Sequence, residues 1–177
     1  LSGEAIVFPG SKCPQCGHRL SWWENIPLLS YLLLRGRCRA CRKPISARYP
    51  TVELISGLWA LGLAVKYGPT QVFLVYLIIG GILIVASFID FASFLLPDVL
   101  TLPGAALALA GAYFVLRPAL GGPSLAESLL GAGVGAGLFL LLQRIYRKLK
   151  GFDGLGTGDI KLMLLLGALI GLRGLPV

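Results

Sequence analysis

Two aspartates and four cysteines are the residues of this chain whose types and spacing could do chemistry. Asp159 stands in the run Gly154-Leu155-Gly156-Thr157-Gly158-Asp159-Ile160-Lys161, at the mouth of an apolar stretch that continues through Leu162 to Leu166. Asp90 closes a second long apolar run, Val72 to Ile89. A carboxylate at the edge of a bilayer is costly and is rarely kept there without use. Two carboxylates held near each other can share a proton and activate a water between them. One takes a proton from the water while the other gives one to a carbonyl oxygen, which is aspartic peptidase chemistry. The plainer alternative is that these acids cap helices or pair with basic residues. Asp98 suits that alternative, because it follows Pro97 and precedes an apolar segment, where an N-cap belongs.

The cysteines form two pairs, Cys13-Pro-Gln-Cys16 and Cys38-Arg-Ala-Cys41, with the 21 residues from Gly17 to Arg37 between them. No other cysteine is present. Each C-x-x-C turn offers two sulfurs to one ion, Gly17 permits a tight knuckle, and four thiolates complete a tetrahedral zinc shell. Two disulfides or a redox pair are the alternative. Disulfides need an oxidising compartment, whereas the basic charge around these pairs argues for the cytoplasmic side. His18, the single histidine, reads as a solvent-facing neighbour rather than a ligand, since four cysteines already suffice.

Composition says where such residues must work. The chain has 177 residues, 56% hydrophobic and 14% charged, with mean hydropathy +0.81. Soluble domains carry about 25% charged residues, so this chain belongs in lipid. Its formal charge of +8 would raise nucleic acid as a partner for a soluble protein. Here basic residues more simply set membrane orientation, and no basic and aromatic nucleic-acid module is apparent. The expected partner is the lipid bilayer, with no nucleic acid. The sequence opens on Leu1 and closes at Val177 within an apolar segment that has not yet spanned. We therefore expect a fragment, with membrane segments missing at one or both ends.

Residues 1–50 read as a polar, basic, cysteine-bearing module and 51–177 as a helical membrane domain. Between the cysteine pairs, Ser21-Trp22-Trp23-Glu24-Asn25-Ile26-Pro27 and then Leu28 to Leu34 read as an amphipathic stretch with its tryptophans at headgroup level. Five membrane segments follow: about Val52 to Val65, Gln71 to Ile89, Val99 to Leu116, Leu125 to Leu142, and one starting near Asp159 whose end is truncated. A span needs about 20 residues, so the first is short unless Tyr49 to Thr51 lengthen it. Gly131, Gly133, Gly135 and Gly137 offer small faces for close helix packing. The glycines before Asp159 could be a flexible connector; a phosphate loop is a weaker reading, with no preceding strand and no Gly-Lys-Ser or Gly-Lys-Thr.

Five crossings bring the acids to one face. Lys12, Arg19, Arg35, Arg37, Arg39, Arg42, Lys43 and Arg48 precede the first segment, and Arg144, Arg147, Lys148, Lys150 and Lys161 surround the start of the last. Only Lys66, Arg117 and Arg173 fall on the other side. The richer side should be cytoplasmic, and Asp90, Asp98, Asp153 and Asp159 all gather there. The expected architecture is an all-α polytopic integral membrane protein with a small N-terminal cytoplasmic four-cysteine zinc-binding module. A transporter or scaffold that moves protons through intramembrane acids is a competing class, but it tends to place acids within the bilayer rather than at one face. A peptidase using the cysteine zinc is another, although four cysteines leave no open ligand position.

The residues also resemble a known family, the prepilin (type IV leader) peptidases of the GxGD aspartic protease class. The resemblance is carried by the cysteine pairs; Trp23-Glu24-Asn25-Ile26-Pro27 with Leu29-Ser30-Tyr31; Arg48-Tyr49-Pro50 with Val52-Glu53-Leu54; Ile89-Asp90 with Leu95-Leu96-Pro97-Asp98; and Gly156-Thr157-Gly158-Asp159-Ile160-Lys161. It covers nearly the whole chain, in order. It implies that Asp90 and Asp159 are the catalytic pair and that Cys13, Cys16, Cys38 and Cys41 hold a structural zinc. It implies a membrane-embedded endopeptidase of the bacterial inner membrane, with its active site facing the cytoplasm. The implied substrates are type IV prepilins or type II secretion pseudopilins, cut after a glycine between a basic leader and an apolar helix. Methylation of the new N-terminus with S-adenosylmethionine would follow. Ala92 departs from the family pattern, which often has a further aspartate two residues after the first. The family's N-terminal membrane segment and its last segments are expected to lie outside this stretch, as for a fragment. Asp90, Asp98, Asp153 and Asp159 are expected to offset the basic face where a basic leader must bind.

Overall fold

In the computed structural model, residues 11–116, 122–152, 154 and 156–175 are described. The chain divides into two compact units, Leu1–Leu58 and Trp59–Val177. No strand forms among the described residues beyond two isolated bridges, Lys12 with Arg19 and Arg37 with Pro44.

Those bridges frame the first unit. Each C-x-x-C turn closes in the same way: the Cys13 amide donates to the His18 carbonyl (2.8 Å), and the Cys38 amide donates to the Lys43 carbonyl (2.9 Å). The Gly17 amide returns to the Cys13 carbonyl as the Arg42 amide does to that of Cys38, both at 2.9 Å. Both residues that follow the second cysteine take positive φ, Gly17 at 72° and Arg42 at 57°. The second knuckle therefore accepts in an arginine the left-handed conformation that glycine adopts without steric cost. A 3-10 turn, Trp22–Asn25, and the short helix α1, Leu29–Leu33, follow. Leu28 enters α1 at φ 59°, and its amide is held by the Glu53 carboxylate at 2.8 Å.

Helix α2 (Arg48–Tyr67) starts in the first unit and ends in the second. The second unit continues with α3 (Gln71–Ser93), α4 (Asp98–Phe114), α5 (Leu125–Lys150) and α6 (Thr157–Gly174). Thr70 caps α3, accepting from the Phe73 amide at 3.3 Å. Ser124 and Glu127 form a capping box on α5, and Gly151 ends that helix in the left-handed conformation. The expected helices are present, but four of the five run further than their apolar runs. Alpha-3 continues past Ile89 to Ser93, so Asp90 lies inside its last turn rather than after it. Alpha-5 passes Leu142 and carries the basic residues Arg144 to Lys150 on its own final turns.

The core of the second unit is made of small residues. Ile79 of α3, Ala105 and Ala108 of α4, Ala132 of α5, and Leu165 and Ala168 of α6 are buried together. Helices α5 and α6 run antiparallel and almost touch backbone to backbone. A Cβ added at Gly131 would strike the backbone of Gly167 and Gly171, and one added at Gly167 would strike that of Gly131. Gly135 approaches the Met163 carbonyl in the same way, whereas Gly133 and Gly137 face open space. Two of the four expected packing glycines thus make the contact, spaced one turn apart as a small-x-x-x-small face requires. Arg173 and Glu127 close one end of this pair at 2.8 Å.

Two helices, α3 and α5, are long and apolar enough to cross a membrane; α4, at 17 residues, is apolar but shorter. The expectation of five spans is therefore met in part among the described residues. Alpha-2 contains Arg48, Glu53 and Lys66, and α6 contains Asp159, Lys161 and Arg173, which lowers the hydropathy of both. Large apolar side chains nonetheless face outward along the helices, including Leu74, Ile78 and Val85 of α3 and Leu130, Val134 and Leu138 of α5.

Candidate active site and candidate metal centre

In the first unit the two knuckles bring four thiols together. All four sulfurs lie within 4.8 Å of one another, with Cys13 to Cys41 at 4.0 Å and Cys16 to Cys38 at 3.9 Å. A zinc–sulfur bond of about 2.3 Å sets a tetrahedral sulfur–sulfur edge of about 3.8 Å. The cluster fits that edge, and none of the four cysteines is in a disulfide. Backbone amides of Gln15 and Cys16, pointing at its sulfur, draw the Cys13 thiol down to about 7. The amides of Cys41 and Ala40 lower Cys38 in the matching place. Cys16 goes the other way, to about 11: the His18 amide lowers it, but burial and the other three sulfurs outweigh that amide. Each knuckle thus presents one readily ionised sulfur, and an ion would displace the proton from Cys16.

His18 is not simply solvent-facing. Its Nε2 lies 3.5 Å from Glu24 Oε2, and Glu24 is almost wholly buried. Glu24 also accepts from the Ser21 amide at 2.7 Å. Its carboxyl is held below the ordinary range, first by the Ser21 backbone and side chain and then by His18, against the cost of burial. The Ser21-x-x-Glu24 spacing is that of a capping box, a signal the sequence does carry. Arg39 stacks over the Trp23 ring at 5.1 Å, and Lys43 reaches across the knuckles to Gln15 at 3.1 Å.

In the second unit the acids sit at helix ends. Asp90 and Asp159 are both half-buried, Asp90 in the last turn of α3 and Asp159 in the first turn of α6. The ends of these helices are tied through the link between α3 and α4. A Cβ added at Gly158 would lie 2.9 Å from the Leu96 Cβ, so only glycine lets α6 come this close to that link. One residue beyond Pro97, Asp98 meets Lys161 at 2.5 Å. Asp98 is the first residue of α4 and makes no side-chain cap; its partner is the lysine, so the ion-pair form of the plainer reading applies to it. Asp159 does act as a cap, accepting from the Gly156 amide at 3.1 Å. No hydrogen bond or ion pair engages the Asp90 carboxylate among the described residues. Asp153 lies outside the described residues. Sequence reasoning missed Lys161 as the partner of Asp98 and Glu53 as the clamp on Leu28; no local spacing signals either contact.

On the other side of the α6 start, a groove of about 400 Å³ opens against the end of α5, lined by Arg144, Arg147 and Lys161 with Gln143 and Thr157 above Leu140 and Ile160.

Two family models match the chain. Residues 1–67 match the model of the bacterial peptidase A24 N-terminal domain, and residues 77–177 match that of the type IV leader peptidase family. A prepilin leader peptidase/N-methyltransferase of Burkholderia pseudomallei (strain 1026b) is 42% identical over 175 residues, covering 97% of this chain and 54% of the relative. One of the same name from Aeromonas hydrophila is 43% identical over 173 residues, 97% of this chain and 58% of the relative. One from Myxococcus xanthus (strain DK1622) is 40% identical over 172 residues, 97% and 50% respectively. The chain spans about half the length of the curated relatives it matches. No solved structure matches it. With one model covering its cysteine knuckles and another covering both aspartates and the helices that carry them, the chain belongs to the type IV leader peptidase family.

Proposed function

We propose that this chain is the catalytic part of a membrane-embedded aspartic endopeptidase. It removes the basic leader from type IV prepilins or pseudopilins after a glycine, and methylation of the new N-terminus with S-adenosylmethionine follows. Asp90 and Asp159 are the catalytic pair. In this reading one carboxylate draws a proton from water while the other, protonated, donates to the scissile carbonyl oxygen; the pair then exchanges roles as the amine leaves. The observation that carries it is the contact of Gly158 with Leu96. It ties the first turn of α6 to the link that follows Asp90, at the end where the Asp90 carboxylate has no other partner among the described residues.

Cys13, Cys16, Cys38 and Cys41 hold zinc in a structural role. The ion neutralises converging thiolates and fixes the knuckles, and with four sulfurs bound it offers no position to substrate. Residues 1–50 form the cytoplasmic zinc module and 51–177 the membrane domain, with five crossings in the bacterial inner membrane and the acids on the cytoplasmic side. The apolar outer faces of α3 and α5 support placing those helices in lipid, and the basic residues around the α5–α6 link support the orientation.

The test is leader cleavage of a prepilin by the membrane-inserted protein. Asp90→Asn and Asp159→Asn should each lower cleavage by about 10²-fold or more while insertion and zinc content stay unchanged. Near-normal cleavage by either variant would remove that residue from the pair.

A further inference from the structure

We propose that the groove between the end of α5 and the start of α6 is a binding site for the phosphate headgroup of an anionic membrane phospholipid. Arg144 and Arg147 are three residues apart on α5 and line one side of the groove; Lys161 and Thr157 are four apart on α6 and line the other. Residues so spaced share a helix face. Arginine's planar fork matches phosphate oxygens two at a time, and Gln143 and Thr157 add neutral polar groups to the lining. Asp98 pairs with Lys161 on the α6 side, and the two arginines line the α5 side. At about 400 Å³ the groove falls in the size range of small-ligand sites.

Its depth along α5 selects a lipid over a soluble anion. The helix is apolar through Leu142 and turns basic from Arg144 to Lys150. Leu140, at the apolar margin, lines the same groove as the arginines. A phospholipid headgroup lies at this boundary, with its acyl chains toward the apolar side, and basic pockets between membrane helices hold such headgroups. The inference rests on reading α5 as a membrane-spanning helix.

The test inserts the protein into nanodiscs of phosphatidylcholine containing a minority of phosphatidylglycerol, and counts retained lipids by native mass spectrometry. The wild-type protein should retain phosphatidylglycerol. Removing two basic groups, as Arg144→Gln with Arg147→Gln, should weaken that retention by about thirtyfold. Lys148→Gln with Lys150→Gln, on the same helix but outside the groove lining, should retain it as the wild type does. Equal loss in this control would mean a diffuse charged belt and would overturn the site, as would wild-type retention in the arginine variant. Ile160→Trp, which fills the groove and keeps its charge, is the second variant should the first not fold; retention by it also overturns the site. In neutral nanodiscs, inorganic phosphate should give little protection against thermal unfolding. Protection equal to that from phosphatidylglycerol would assign the groove to free anions instead. Failure of the protein to enter nanodiscs would overturn the membrane reading and this site with it, whereas normal insertion without discrimination overturns the site alone.

Discussion

Asp159 has a structural role and, in the proposed reaction, a catalytic one. Its carboxylate closes the first turn of its own helix through the Gly156 amide, which fixes the rotamer that a catalytic carboxylate would also need. Glu24 is an acid of the opposite kind, buried and fully committed to structure. Glu24→Gln should destabilise the first unit by about 1–2 kcal/mol at neutral pH. Because the folded-state carboxyl is lowered, its contribution is present above the ordinary carboxylate range and is lost as pH falls from that range through the lowered folded-state value. The wild type and the glutamine variant should therefore draw together in chemical denaturation as pH falls and converge only below the lowered folded-state value; a constant gap would show that charge is not what matters there. At the cysteines the sign is the same with a different midpoint. The metal-free Cys13 thiol, at about 7, takes up a proton as pH falls through neutrality, so zinc binding to the metal-free protein should release protons and weaken as pH falls. The four cysteines were legible because a C-x-x-C turn is local. The role of His18 was not, because it depends on how deeply Glu24 is buried. The Asp98–Lys161 pair joins residues far apart in sequence, and no periodicity announces such a contact.

Between elements, the closest fit in the second unit is α5 against α6. Gly131→Ala should destabilise the protein in detergent by more than 1 kcal/mol, on the order of an overpacked core site, because the new methyl meets the backbone of the partner helix. Gly133→Ala, two residues on, faces open space and should be neutral or stabilising by about 0.5–1 kcal/mol, the ordinary helix preference for alanine. Thermal unfolding of the two variants side by side checks the assignment; equal effects would mean the helices pack by a different face. The sequence marked all four glycines as equivalent, since an alternating pattern does not say which phase faces the neighbour. It also ended α5 at Leu142. Hydropathy reports the apolar run, while the helix itself continues until Gly151 takes the left-handed conformation that stops it.

At the scale of the molecule, five crossings would leave the α3–α4 link and the α5–α6 link on one side. Single cysteines placed at Phe94 and Lys150 should react with an impermeant maleimide only from the cytoplasmic side, and one at Gly68 only from the other. Labelling of Phe94 and Lys150 from opposite sides would refute the topology. The order of helices and the helical class were legible from hydropathy alone. The number of spans was less so, because α2 and α6 mix charge into short apolar helices. Helix α4 has one more consequence. Its 17 residues extend about 25 Å, some 5 Å less than an average hydrocarbon core. In the proposed five-span topology it would sit beside the longer α3 and α5 as a hydrophobic mismatch, which lipid relieves by thinning around that helix. Bilayer thickness would then bear on the proposed cleavage, which should change in vesicles of graded acyl-chain length; an unchanged rate would count against α4 as a span.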